Sequence, residues 1–185
     1  MAPADKRSRL VNAAVSLAYR DGFGATSLAD IASEAAVPLG NVYYYFKTKD
    51  EIGEAIVELR LSQMAAMLQR WDEETSPKDR LYRCIEGVLD NKESLARRGC
   101  AIGTFCSELH KVGGAVAAKA TGIFSQYLSW LETQFRALGK GKAARGHAVH
   151  LLSALQGISL LAHTFHDPSL VTMETRRLKR WVEDL

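Results

Sequence analysis

The sequence predicts an all-α protein of about nine helices, because apolar residues recur at helical spacing and no strand pattern appears. Beyond Pro77 in particular, apolar stripes alternate with short polar or glycine-rich breaks. A length of 185 residues allows one or two domains with a substantial core. We predict a boundary after residue 50, which separates an N-terminal domain over 1–50 from a C-terminal helical bundle over 51–185.

Composition argues against a membrane protein and against a disulfide-rich secreted protein. The 24 Lys and Arg residues outnumber the 21 Asp and Glu residues by three, and residues 1–50 contribute only one of these excess charges, so bulk charge does not indicate a nucleic-acid partner. The absence of an 18-residue apolar run and of a secretory signal predicts a cytoplasmic protein with no membrane partner. Three cysteines, an odd number, argue against a disulfide framework and fit a reducing compartment.

The N-terminal domain is predicted to contain one longer helix followed by two short ones. The first covers residues 5–21 and ends at a Gly22-Phe23-Gly24 turn. Ser27, with Asp30 three residues later, predicts a capped start for the second helix. Pro38 disfavours helix at the preceding residue and suits the first turn of a third helix, which should end near residue 46.

The third helix has a composition that a purely structural helix would not need. Its three consecutive tyrosines, residues 43–45, span about 200° of a helix surface, so at least one must point outward. Val42 and Phe46 are the predicted buried pair. A small exposed helix with hydrogen-bonding side chains, followed by lysines, fits a DNA major groove with the lysines on phosphates. The candidate DNA-binding residues are Thr26, Ser27, Leu39, Gly40, Asn41, Tyr43, Tyr44, Tyr45, Lys47 and Lys49.

The order of residues from 26 to 51 resembles the DNA-binding region of TetR-family transcriptional regulators. The resemblance extends over roughly residues 8–55 and rests on many placed residues. These are Thr26-Ser27-Leu28-x-Asp30-Ile31-Ala32-x-x-Ala35-x-Val37-x-x-Gly40-x-Val42-Tyr43-x-Tyr45-Phe46-Lys47-x-Lys49-x-Glu51.

The family resemblance implies a three-helix DNA-binding head with a helix-turn-helix, a C-terminal domain for ligand binding and dimerisation, and usually repression. At the matching positions, Thr26, Ser27, Tyr44 and Lys49 would contact phosphates, whereas Gly40, Asn41, Tyr43 and Tyr45 would approach bases. Two residues depart from the family pattern. Tyr44 stands where many members carry histidine, and Ala36 stands where glycine is commoner.

Binding to double-stranded DNA would require a homodimer, because one small helix contacts few bases and two-fold symmetry matches a palindromic operator. The last two predicted helices, 143–163 and 172–185, could form a four-helix bundle across the two-fold axis. An intramolecular core is the alternative for part of this surface. The predicted interface residues are Leu151, Leu155, Ile158, Leu161, Leu178, Trp181 and Val182.

A small-molecule effector, most simply an apolar or aromatic compound, is expected in the C-terminal domain. A long fourth helix, which begins near Asp50 and ends before Ser76, could carry a movement to the head. Apolar residues with a few polar groups from successive helices could line a pocket, although they could equally form an ordinary core. The candidate pocket residues are Met64, Met67, Leu68, Trp71, Tyr82, Phe105, Leu109, Phe124, Tyr127, Leu128, Gln156 and His163.

Modification of a cysteine is the alternative to effector binding as the signal that releases the protein from DNA. The segment from Arg98 to Leu109 resembles the domain-linking turn of one branch of TetR-like regulators. Cys106 is predicted near the start of a short helix over 104–111, where oriented amides lower a thiol pKa. Cys100 is the second redox candidate, and burial as a small apolar residue is the alternative for both.

Two other function classes remain open at this point. One is a helical sensor that acts through protein partners and has a degenerate DNA head, and the other is a thiol enzyme that uses Cys106 with His110. An enzyme is not expected, since the common catalytic motifs are missing. No cofactor and no metal site are predicted, because the two spaced histidine pairs lack a matching set of cysteines or carboxylates.

Overall fold

The computed structural model describes residues 5–185 and has ten α-helices and no strand within them. The all-α prediction is confirmed, and the helix count is close to the expected nine. A short 3₁₀ turn over Gly141–Ala143 lies between the eighth and ninth helices. The helices are α1 Lys6–Asp21, α2 Leu28–Glu34, α3 Leu39–Tyr45, α4 Lys49–Asp72, α5 Pro77–Asp90, α6 Lys92–Arg98, α7 Ala101–Val112, α8 Gly114–Ala137, α9 Ala144–Phe165 and α10 Ser169–Glu183.

The chain forms two compact units, which are interleaved along the sequence. The first consists of Met1–Ser62, described from residue 5, together with Thr104–Ile123. The second consists of Gln63–Gly103 and Phe124–Leu185. Helices α4, α7 and α8 therefore each contribute residues to both units. The predicted functional boundary after residue 50 stays a prediction.

The core of the first unit is built by the apolar faces of α1 to α4. Leu10 of α1, Ile31 of α2, Val42 of α3 and Ile52 of α4 are fully buried. Asp5 caps α1, because its carboxylate accepts the backbone N–H of Ser8 at 2.7 Å. Three helices with bounds close to those predicted, followed by the long α4, thus form the N-terminal part of this unit.

Residues 77–98 form two separate helices in the second unit, α5 and α6. Asn91 separates them with φ −99° and ψ 10°, and its side-chain amide donates to the carbonyl of Gly87 at 2.7 Å. Asparagine competes in this way with the helical hydrogen bonds of the backbone. Helix α6 then packs with α9 and α10 around a cluster of Ala96, Ile158, Ala162 and Val171.

The predicted dimer interface lies mostly in the core of the second unit, and this part of the prediction is corrected. Leu151, Leu155, Ile158, Leu178 and Val182 are buried within the protomer. Trp181 packs against the rings of Phe135 and His150, at centroid distances of 5.7 and 4.8 Å. Of the seven residues only Leu161 is exposed. The periodicity marked an apolar stripe correctly, but the neighbouring helices of the same chain cover that stripe.

A second side of α9 remains apolar and exposed. Val149, Leu160, Leu161 and Phe165 lie there, and Met173 of α10 is also exposed. The stretch Gly141–Phe165 is long and apolar enough to cross a membrane, as judged by its length and composition alone. Since 39% of its most apolar window is buried and the core helix of a soluble protein passes the same test, it does not indicate a membrane segment.

Candidate nucleic-acid interface

The start of α2 is fixed by a reciprocal capping box. The Ser27 hydroxyl accepts the N–H of Asp30 at 3.1 Å, and the Asp30 carboxylate accepts the N–H of Ser27 at 2.8 Å. Hydrogen bonds from Ser27 lower the pKa of the Asp30 carboxyl group. The cap leaves Ser27 exposed, with its N–H and its hydroxyl both bonded to Asp30.

Thr26 has a structural role that differs from the predicted phosphate contact. Its side chain is 4% exposed, and its hydroxyl donates to the carbonyl of Gly22 at 2.9 Å. Its backbone N–H donates to the carbonyl of Phe23. Both donors of Thr26 therefore hold the turn between α1 and α2, and neither faces outward.

The turn between α2 and α3 is tight and uses a left-handed residue. Ala36 has φ +49°, in the region that L-residues disfavour. The Arg9 guanidinium donates to the carbonyls of Ala35 and Ala36, at 2.5 and 3.0 Å, and so caps the end of α2. The backbone conformation explains why glycine would suit position 36.

Helix α3 is anchored by one face and presents the other. Val42 and the adjoining Phe46 are buried at 0% and 2% exposure, as predicted, whereas Tyr44 is 78% exposed. Leu39 and Tyr43 are exposed beside it. No atom lies within 4 Å of the position that a Gly40 Cβ would occupy, so another surface can approach the backbone there. The remaining candidates, Asn41 and Tyr45, are half-buried, and the Tyr45 ring packs edge-on against Tyr44 at 5.0 Å.

The two lysines after α3 are held by carbonyl groups near the exposed face. The Lys47 ammonium donates to the carbonyl of Tyr43. The Lys49 ammonium donates to the carbonyl of Gly24 at 2.8 Å and lies 4.9 Å from the centroid of the Phe23 ring. Positive charge therefore lies at the end of α3 and beside the α1–α2 turn.

The α1–α2 turn is also held by α7, which the sequence did not predict. The Gly24 N–H donates to the Glu108 carboxylate at 3.1 Å, and the Phe23 ring packs edge-on against Phe105 at 5.5 Å. The Glu108 carboxylate lies 3.1 Å from where a Gly22 Cβ would be, so that glycine at φ +89° permits the approach. The α1–α2 turn is thereby tied to α7 within the first unit.

Comparison with known proteins agrees with this geometry. Residues 10–56 match the model of the bacterial regulatory proteins of the tetR family. A TetR transcriptional regulator from Legionella pneumophila has the same fold over 100% of this chain and 98% of its own, with a TM-score of 0.86 at 20% identity. Residues 10–56 thus carry a DNA-binding region of the tetR family, and the whole chain has the fold of a TetR regulator. Both comparisons are with transcriptional regulators and neither is with an enzyme, which disfavours the thiol-enzyme alternative.

Two curated relatives are also transcriptional regulators. An uncharacterized HTH-type transcriptional regulator from Lactococcus lactis is 23% identical over 180 residues, which is 94% of this chain and 91% of the relative. The nicotine-responsive transcriptional repressor HdnoR of Paenarthrobacter nicotinovorans is 38% identical over 66 residues. That match covers 36% of this chain and 34% of the repressor, so the chain aligns with only about a third of that relative.

The structure does not place Cys106 at a helix start. Helix α7 begins at Ala101, so Cys106 lies within the helix, buried, with its thiol 3.8 Å from the carbonyl of Ala120. The His110 ring contacts the Cys106 carbonyl at 2.8 Å and the Thr121 hydroxyl at 3.0 Å. The expected position of Cys106 at a helix start, where amides would activate its thiol, is therefore wrong, whereas its pairing with His110 stays a prediction.

The other two thiols differ in accessibility. Cys100 directly precedes α7, is half-buried, and accepts the N–H of Gly103 at 3.4 Å. Cys84 is fully buried beside the Tyr127 hydroxyl, at 2.9 Å, and burial raises the pKa of its thiol to about 12. Cys100 is therefore the more accessible of the two.

The predicted effector pocket is divided between the two units. Phe105 and Leu109 belong to the first unit, and the other ten candidates belong to the second. Within the second unit, Trp71 packs against Tyr127 at a centroid distance of 6.0 Å. The Tyr82 hydroxyl instead hydrogen-bonds to Glu183 of α10.

A polar group that sequence reasoning missed lies in the same unit. Among the described residues, the side-chain amide oxygen of Gln126, Oε1, is buried and accepts no hydrogen bond from the protein. An unpaired buried acceptor is unfavourable, and a bound molecule with a donor group would satisfy it. Nothing in the local sequence distinguishes Gln126 from a solvent-facing glutamine, so the sequence carried no signal for it.

Proposed function

We propose that the chain is a homodimeric repressor that binds a palindromic operator and is released from it by an effector. Residues 1–50 would form the DNA-binding domain, and residues 51–185 the domain for effector binding and dimerisation. The observation that carries the proposal is the orientation of α3, which buries Val42 and exposes Tyr43 and Tyr44. Such a protein would act on chromosomal DNA in the cytoplasm.

The contact roles follow from the exposure of each side chain. Leu39, Gly40, Asn41 and Tyr43 would approach base edges when α3 enters the major groove. Tyr44 and the backbone of the capped α2 start would contact phosphates, as would the two lysines. Thr26 would support these contacts from inside, since its hydroxyl is bonded to Gly22.

The test compares a base-contacting residue with a phosphate-contacting one. Selection from a random duplex pool would first supply the operator. Asn41→Ala is then expected to cost about 1–3 kcal/mol on the operator and to alter base preference. Lys49→Ala should weaken binding to all sequences and lower the salt dependence by about one counterion per subunit.

Lys142→Ala supplies the matched control, because Lys142 is an exposed lysine in the second unit, far along the sequence from the head. It removes the same charge and should leave operator affinity within about twofold, by electrostatic screening at physiological salt. Equal effects of Asn41→Ala and Lys49→Ala on every duplex would contradict the assigned roles.

The dimer would form through the exposed apolar side of α9. Val149, Leu160 and Phe165 lie there, and large apolar side chains clustered in this way mark interaction surfaces. Gly146 and Gly157 have no atom within 4 Å of their Cβ positions, which permits close approach of a second helix. This surface replaces the buried residues that the sequence indicated.

The effector would be a small molecule that binds in the C-terminal domain. One relative is named for its response to nicotine, which supports a small organic effector as a class. Trp71 and Tyr127 would supply aromatic surface, and the side-chain amide oxygen of Gln126 would accept a hydrogen bond. The effector releases DNA only to the extent that it binds the released conformation more tightly.

Modification of Cys100 is the second candidate for the signal that releases DNA, because its thiol is half-buried at the start of α7.

A further inference from the structure

A cleft of about 680 Å³ on the second unit is lined by basic side chains that the proposed repressor mechanism does not use. We propose that this cleft is a binding site for a small polyanion that carries phosphate groups. Its basic residues are Lys92, Arg176, Arg177 and Arg180, and Ser169 and Thr172 also line it.

The arrangement follows from the register of α10. Thr172, Arg176 and Arg180 are spaced by four residues and lie along one side of the helix, and Ser169 begins the same row. The row from Ser169 to Arg180 extends about 16 Å at about 1.5 Å per residue. Lys92, the first residue of α6, adds a fourth positive charge at the wall of the cleft.

The positive charge in the cleft is poorly compensated. No lining residue is acidic, and among the described residues Lys92, Arg176 and Arg180 form no ion pair. Arg177 has one long contact, 3.9 Å to Glu174. Elsewhere on α10 the pattern differs, since Lys179 is paired with Glu86 at 2.6 Å. Four cations around one concavity repel one another, and a bound anion would relieve that repulsion.

The chemistry of the lining favours phosphate groups on a small molecule. The planar guanidinium groups can each bind two oxygens of a phosphate, and hydroxyls can complete the coordination. The cleft volume lies within the usual range of small-molecule sites. A concave site of this size suits a compact ligand better than a duplex or a protein surface, and exposed Met173 offers an apolar contact beside the charges.

Calorimetric titration of the full chain with inorganic pyrophosphate and tripolyphosphate, at constant ionic strength, tests the proposal. The variant Arg176→Gln/Arg180→Gln removes two cleft charges. The control Arg136→Gln/Arg145→Gln removes two charges that pair with Glu132 elsewhere in the same unit. Both variants lower the formal net charge from +3 to +1, so bulk charge is matched.

The wild-type chain should bind one tripolyphosphate saturably. The cleft variant should lose at least about tenfold in affinity, which is the effect of removing a charged hydrogen bond, and the control should stay within about twofold. The variant Arg176→Lys/Arg180→Lys keeps the charge without the planar guanidinium, so its affinity should lie between those of the cleft variant and the control. Circular dichroism would verify folding of each variant.

Three outcomes would overturn the proposal. Equal losses of affinity in the cleft and control variants would show that binding depends on net charge and not on the cleft. Absence of saturable binding by the wild-type chain would leave the cleft without a phosphate ligand. Binding of non-operator duplex that depends on Arg176 and Arg180, without binding of either phosphate probe, would assign the surface to DNA instead. None of these measurements requires operator binding, so the result is independent of the proposed repressor function.

Discussion

At the scale of single residues, Ala36 holds the α2–α3 turn with a backbone angle that its side chain disfavours. At φ +49°, the left-handed conformation costs an alanine about 1–2 kcal/mol, and glycine adopts it freely. The higher unfolded-state entropy of glycine offsets part of that gain. Ala36→Gly should therefore stabilise the protein by about 0.5–1 kcal/mol, measured by urea unfolding at fixed protein concentration.

Ala66→Gly is the control for Ala36→Gly, because Ala66 is an exposed alanine within α4. Glycine within a helix costs about 1 kcal/mol, so the two substitutions should change the free energy of unfolding in opposite directions. Destabilisation by both would show that the turn relaxes Ala36 out of the left-handed region.

The three thiols should react in an order set by burial. In the folded protein burial raises the pKa of Cys84 to about 12, so its thiol remains protonated and unreactive at neutral pH. Cys106 is buried within α7, and Cys100 is half-buried. Iodoacetamide should therefore alkylate Cys100 first, with Cys84 and Cys106 following only on unfolding, as measured by peptide mass spectrometry.

Cys100→Ser provides the matched variant for the alkylation experiment. It should remove the fast labelling and leave the two slow sites unchanged. Faster labelling of Cys84 or Cys106 than of Cys100 in the native protein would contradict the order. If no thiol reacts in the folded state, cysteine modification is excluded as the switch, and the small-molecule effector remains.

Residue-scale features could be predicted where a local rule determines them. Val42 and Phe46 are spaced as one helical face, and both are buried as predicted. Thr26 could not be placed correctly, because the sequence does not determine whether a threonine hydroxyl turns outward or bonds to a carbonyl four residues earlier. Glu108 contacts Gly24 across 84 positions of the chain, and no sequence pattern encodes that contact.

At the scale of helices, bounds could be predicted where caps and glycines mark them. Residues 5–21 form α1 nearly as predicted, because Asp5 caps its start and Gly22 ends it. The start of α7 carries no such signal, which is why Cys106 was placed too near a helix end. Asn91 divides α5 from α6, although a lone asparagine does not determine a break.

Helix α7 should control the mobility of the α1–α2 turn in the DNA-binding head. Glu108→Ala removes the carboxylate that accepts the Gly24 N–H at 3.1 Å and leaves the Phe23–Phe105 ring contact between α7 and the turn. Amide hydrogen exchange at Gly24 should accelerate by about tenfold, the equivalent of a lost charged hydrogen bond.

Ser107→Ala supplies the control for the exchange measurement, because Ser107 is exposed on the same helix. Exchange at Gly24 should then be unchanged. In both variants the Ile31 amide, which is bonded within the first turn of α2, should keep its protection. Unchanged exchange at Gly24 in Glu108→Ala would show that the carboxylate does not restrain the turn.

At the scale of the whole molecule, α9 is apolar on two sides, and the sequence alone could not distinguish them. Leu151, Leu155 and Ile158 face the core of the protomer, whereas Leu160 and Phe165 face outward. Helical periodicity identifies which residues share a face, but it does not determine whether a neighbouring helix or a second subunit covers that face. Only the packing of α6 and α10 on α9 decides this.

The two sides of α9 should respond differently to substitution. Leu160→Glu/Phe165→Glu places charges on the exposed side, so the proposed dimer should dissociate while the helical circular dichroism is retained. Leu155→Ala opens a cavity in the core and should lower the free energy of unfolding by about 2–5 kcal/mol without abolishing dimerisation. Light scattering and urea unfolding would separate the two effects. The glutamate variant should also lose most operator affinity, because a monomer presents a single α3 to a two-fold site. A glutamate variant that remained dimeric would place the subunit interface on another surface.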